Sequence, residues 1–207
     1  IAAGSVVVVA TGNEGEVGLS SPANCSGVIA VTAHTINGEN ADYANIGPPG
    51  GDLGMPGGVD AQPTISAPGG GHPITLGAGG PTDDSSFNGY YIWSAILFGN
   101  TSPTSPDSSN PPRSGPAYTG VTGTSAATPQ VAGVAALIKS MVPAATPTQI
   151  RNFLVNNVRP HPAGGACLGG LVGQCGPGLL DANAAVRAAA TMAPPIIIAQ
   201  PQNATAF

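Results

Sequence analysis

Two short runs, SVVVVAT at residues 5–11 and GVIAVTA at residues 27–33, constrain this chain's fold more than any other feature. A strand with one wet face alternates apolar and polar residues, whereas these runs are apolar and β-branched at neighbouring positions, as a strand covered on both faces is. They predict a parallel sheet. Such a sheet needs long crossovers and covering layers, so helices must follow. Ser125–Met141 (SAATPQVAGVAALIKSM) is apolar on several sides, with small Ala and Gly at packing positions, which suits a buried helix. Pro129 is expected in or just past its first turn, where N–H groups lack intrahelical partners. Thr146, Pro147 and Gln149 read as N-cap, first-turn proline and capping-box glutamine of a helix running to about Asn157. Asp181 caps a third helix over Ala182–Met192. The predicted class is α/β.

Between the second strand and the first helix the character changes. From about Gly47 to Gly120, Gly, Pro, Ser, Asn and Asp dominate, with one strand-like island at Pro63–Ala67 and an aromatic one at Tyr90–Phe98. We expect mostly loop there, pinned to the body by the aromatic island, because a structureless insert of that length is otherwise unusual. The chain is nonetheless built to fold: 42% of its 207 residues are hydrophobic and only 7% charged. Five Lys and Arg stand against ten Asp and Glu, which removes the basic footprint of a nucleic-acid or anionic-membrane binder. No apolar run approaches the ~18 residues of a membrane span. Ile1–Ala10 reads as a strand entered in mid-fold, so the chain is expected to be part of a longer one, and 193–207 reads as an exit linker or extended tail.

Chemistry concentrates in two places. At Gly123-Thr124-Ser125 a Gly-bearing loop delivers a serine to the start of the buried helix, where first-turn N–H groups and the helix dipole favour negative charge beside the hydroxyl. The plainer reading is a serine N-cap. At Val6–Gly15 (VVVVATGNEG) a buried strand ends in a turn. Asn13 there is either a turn residue or, at the carboxyl end of a strand, an amide that donates to an oxyanion. Of the three cysteines, Cys167 and Cys175 are close enough to bridge within a Gly-rich loop, leaving Cys25 as a buried free thiol or as the partner of a cysteine elsewhere.

Taken in order, these segments carry a resemblance. GTSAATPQVAGVAALI resembles the nucleophile motif of the subtilisin-like serine proteases, VVVVATGNEG their oxyanion-asparagine segment and SSPANCSGVIAV the strand that follows it. TISAPGG and CGPGLLDANAAV extend the likeness to about Ala190. The resemblance implies a subtilisin-like three-layer fold, a mostly parallel sheet flanked by helices, of which residues 1–192 form a C-terminal portion with a loop insertion within 47–120. It implies Ser125 as nucleophile and Asn13 as side-chain oxyanion donor beside the Ser125 N–H. Ala10, Thr11, Gly12 and Thr124 are then expected to border the substrate. It also implies a secreted endopeptidase acting on proteins or peptides, a Cys167–Cys175 disulfide with Cys25 paired upstream, and a cis Ser21-Pro22 bond.

The departures matter equally. In this family the catalytic Asp and His precede the segment where this chain begins, so both are expected from an upstream segment. His34, His72 and His161 fall outside the family's His motif and read as surface or loop residues. Gln130 stands where many members carry His. Glu14 and Glu16, beside the implied pocket, favour a basic substrate side chain or are simply solvated. No cofactor is required for the chemistry. Structural calcium is a family habit, and Asp52, Asp60, Asp83 and Asp84 offer oxygen ligands without a recognisable metal spacing. An inactive subtilase-fold binding module is the alternative function. The absence of a G-x-S-x-G elbow around Ser125 disfavours other serine hydrolases.

Overall fold

In a computed structural model the described residues are 1, 3–50, 61–71, 91–97 and 116–192. Strands β1 (Val8–Ala10), β2 (Ile29–His34) and β3 (Ile65–Pro68) form a parallel sheet in that order, with Val9 opposite Ala30 and Val31 opposite Ile65. The expectation for β2 holds: all six of its residues are buried. One face, Ile29, Val31 and Ala33, packs with Ile65 and Ala67 against the helix α1 (Thr124–Met141) through Ala127, Val131, Val134 and Ile138. On the opposite face Ala30 meets Leu19, Ala23 and Ala61 from loops. Helices α2 (Pro147–Val155) and α3 (Ala182–Ala190) close the core on α1 through Ile150, Leu154, Ala185 and Ala189. Among the described residues the helical layer therefore lies on one sheet face. Beyond β3 the sheet edge is covered, since Ser66 N–H donates to Gly178 O and Leu180 N–H to Ser66 O.

The helix signals are local and the structure follows them. Thr146 Oγ1 accepts from Gln149 N at 3.2 Å while Gln149 Oε1 accepts from Thr146 N at 2.8 Å, a complete capping box. Asp181 Oδ1 accepts from Ala184 N at 2.8 Å. Helix α1 begins at Thr124, so Pro129 falls beyond the first turn. The bond it omits is the one its N–H would have given the Ser125 carbonyl.

The stretch expected to be mostly loop contains an antiparallel hairpin, β4 (Ile92–Leu97) and β5 (Pro116–Val121). PAYTGV lacks a β-branched run, and its strand character comes from pairing with β4, which local pattern cannot report. Nor does the aromatic island pin the insert by burial: Trp93 is 68% exposed and Tyr91 39%. The hairpin is anchored because β5 runs directly into the loop before α1. Tyr90, Phe98, His72, the four loop aspartates and the 193–207 tail lie outside the described residues. Cys167 and Cys175 are disulfide-bonded, with Cα atoms 5.8 Å apart, whereas Cys25 is free and exposed, not a buried thiol. The Ser21-Pro22 bond is cis.

His34 and His161 correct the surface reading, being only 5% and 7% exposed. His34 closes β2, and its Nδ1 lies 2.9 Å from Thr35 O, which fixes Nδ1 as the donor and leaves Nε2 bare. His161 Nε2 faces Gly176 O at 3.3 Å and its Nδ1 has no partner. Burial pushes both imidazoles below the usual range, aided at His34 by the Arg159 charge and opposed at His161 by Glu39. A depressed folded-state value means that the unfolded chain binds more protons, so this stability is present above about pH 6.5 and lost as pH falls below it. Thermal unfolding of the full-length protein should show a midpoint dropping as pH falls from 6.5 to 5. Replacing both histidines with Gln should flatten that slope, and an unchanged slope would refute the assignment.

Candidate active site

The site is built where β1 ends and α1 begins, at the same edge of the sheet. After Ala10 the chain keeps pairing once more, Thr11 N to Val31 O at 3.1 Å, then turns through Gly12 to Gly15. Gly12 adopts φ +115, and a Cβ there would collide with Asn45, Glu14 and Ser20 side chains, so only glycine fits. Buried Asn45 holds the turn. Its Oδ1 accepts from Glu14 N and Glu16 N, each at 3.1 Å, and its backbone N donates to Gly12 O at 3.1 Å.

Asn13 stands exposed at the turn's tip. Its Oδ1 accepts two hydrogen bonds from Thr124, from the backbone N at 2.8 Å and from Oγ1 at 2.9 Å, across 111 residues of sequence. With the oxygen occupied by donors, the amide nitrogen is the end left to face outward. Ser125 follows at the second position of α1, exposed, with Gly123 as N-cap and no capping side chain. The serine is therefore not the cap. Its N–H belongs to the unpaired first turn, and no acidic residue there neutralises the helix dipole. A Cβ at Gly123 (φ +145) would lie 3.7 Å from Asn13 Nδ2, Asn13 Oδ1 and Ser125 N alike, so the Asn13 amide and the Ser125 N–H meet around one small volume. That arrangement can bind an oxyanion beside the Ser125 hydroxyl.

The other residues expected near substrate divide by burial. Thr11 and Thr124 are fully buried and act beneath the surface, Thr11 Oγ1 donating to Asn45 O at 3.1 Å, whereas Ala10 and Gly12 are partly exposed. Glu14 and Glu16 are exposed. The Glu14 carboxylate accepts from Asn45 Nδ2 at 2.7 Å and Ser20 Oγ at 3.2 Å, and the Asn45 bond above all holds its pKa below the usual range. Gln130 fastens α1 to the end of β3, donating to Pro68 O at 2.6 Å. A cleft of about 570 Å³ opens beside Ser125, walled by Trp93 and Ser94 of β4, Thr122, Ala126 and Gln130. None of its described lining residues is a base. Among the described residues no three His, Cys, Asp or Glu side chains group as metal ligands.

Asn45 and Tyr43, whose hydroxyl reaches the loop before Ser125, were not legible as site residues. ADYANIG shows no run, repeat or motif, and the only available signal was two polar side chains set among small apolar ones.

The chain is similar in sequence and fold to several known proteins. An extracellular protease of Xanthomonas campestris pv. campestris is 37% identical over 91% of this chain, which spans 24% of that protein. A thermostable alkaline protease of Halalkalibacterium halodurans is 34% identical over 72% of the chain and 27% of its own length. The chain thus spans about a quarter of these relatives. A protease of Pseudoalteromonas arctica superposes with a TM-score of 0.64 at 33% identity, covering 91% of this chain and 44% of its own. Fervidolysin, a keratinolytic enzyme of Fervidobacterium pennivorans related to subtilisin, gives 0.55 at 25% identity, over 89% and 22%. Among the described residues no helix is long and apolar enough to cross a membrane. The sequence pattern of the subtilase family matches residues 1–183, and the chain belongs to that family.

Proposed function

We propose that this chain supplies the nucleophile and oxyanion donors of a secreted serine endopeptidase, and that the Asp and His of the triad come from an upstream segment. The reading rests on Asn13 being locked by Thr124 next to the Ser125 N–H at an exposed helix start. A serine hydroxyl is a weak nucleophile until a base takes its proton. With that base in place, Ser125 attacks a peptide carbonyl and the proton passes to the imidazole. Asn13 Nδ2 and Ser125 N–H hold the oxyanion, the imidazolium protonates the leaving amine, and water then releases the acyl-enzyme by the same route. Within the described residues β1 pairs only with β2, which leaves its other edge for a further strand.

Peptidase activity and Ser125 reaction with a fluorophosphonate should be almost nil for the isolated 207 residues and restored in the full-length chain. Strong labelling of the isolated chain would mean a base within it. A full-length chain that stays inert would favour the binding module.

A further inference from the structure

We propose that Tyr43 is the positioning residue that sets the spacing of the two oxyanion donors, an inference that rests on the reading of Ser125 and Asn13 above. Its ring sits half-buried between two glycine segments. The hydroxyl lies 2.8 Å from Gly69 O, 2.9 Å from Gly70 O and 3.0 Å from Gly123 N. It has one proton to give, so it donates to a carbonyl at the end of β3 and accepts from the Gly123 N–H, two residues before Ser125. Burial pushes its ionisation well above the ordinary tyrosine range, so that proton stays in place. The space it fills is reserved for it: a Cβ at Gly69 would lie 2.8 Å from Tyr43 Oη, and one at Gly71 would lie 2.5 Å from the ring.

The backbone of the same residue grips the other donor. Tyr43 O accepts from Gly15 N at 2.7 Å, closing the turn whose tip is Asn13. One residue therefore ties the Asn13 turn through its carbonyl and the Ser125 loop through its hydroxyl. A hole made of two donors on separate segments needs such a tie, because a shift well under 1 Å in either loop lengthens one hydrogen bond to the oxyanion. Losing the hydroxyl should not unfold the loop, since Gly123 N–H also has Gly69 O at 3.0 Å.

The test compares wild type, Tyr43→Phe, Asn13→Leu and the double variant in the full-length protein. Rates are taken per titrated active site, so that lost folded protein does not imitate the effect. Tyr43→Phe should lower kcat about tenfold, equivalent to about 1.4 kcal/mol, with KM and the thermal midpoint little changed. In the Asn13→Leu background the same exchange should cost clearly less, because one of the two donors it aligns is gone. Asn13→Leu lowering kcat while Tyr43→Phe leaves it within twofold would overturn the positioning role alone. So would multiplicative losses, or an effect confined to KM or to the midpoint. If Asn13→Leu itself left kcat unchanged, the oxyanion reading would fall, and the Tyr43 proposal with it.

Discussion

Ser125→Ala in the full-length protein is expected to lower kcat by about 10⁶, a magnitude taken over from the nucleophile of subtilisin and not worked out from this structure. The reason for so large a loss is that the exchange removes the atom that bonds to the substrate carbonyl. The reason for expecting an intact fold is equally local. Ser125 is exposed, while the core contacts of α1 are made by Ala127, Val131, Val134, Ala135 and Ile138. Alanine is also a better helix former than serine. KM and the thermal midpoint should therefore move little. Hydrolysis reduced only tenfold would show that Ser125 assists without forming the acyl bond.

Asn13→Leu should lower kcat by about 10²–10³, again a magnitude carried over from the side-chain oxyanion donor of subtilisin. Leucine keeps the approximate shape and removes the donor. An oxyanion draws more from that donor than a neutral carbonyl does, so the loss belongs in kcat and KM should stay near wild type. The variant also leaves Thr124 N–H without its acceptor, while Thr124 Oγ1 retains Gly12 O at 3.3 Å. A stability loss of about 1 kcal/mol is the expected companion. A raised KM at constant kcat would instead make Asn13 a substrate-binding residue.

What the sequence disclosed was whatever neighbouring residues decide. β2 is buried on both faces, and its β-branched run without polar alternation says so without reference to a partner. Thr146 and Gln149 complete their box within three positions. β5 is different: PAYTGV becomes a strand only because Ile92–Leu97 lies beside it. His34 ends a buried strand and His161 is buried within a loop, and in both it is tertiary packing, not any neighbouring residue, that decides the burial. Within the site, Ser125 and Asn13 stand in recognisable strings. The residues that hold them, Thr124, Asn45 and Tyr43, act through hydrogen bonds spanning tens to more than a hundred positions, beyond the reach of any local pattern.

The central claim, that Ser125 is the nucleophile of an acyl-transfer site completed by upstream residues, is tested most directly by mapping the residue a fluorophosphonate labels in the full-length protein. The account predicts rapid, stoichiometric labelling on Ser125, none there in Ser125→Ala and much slower labelling in Asn13→Leu. Labelling on a different serine, or proteolysis that continues in Ser125→Ala, would contradict it.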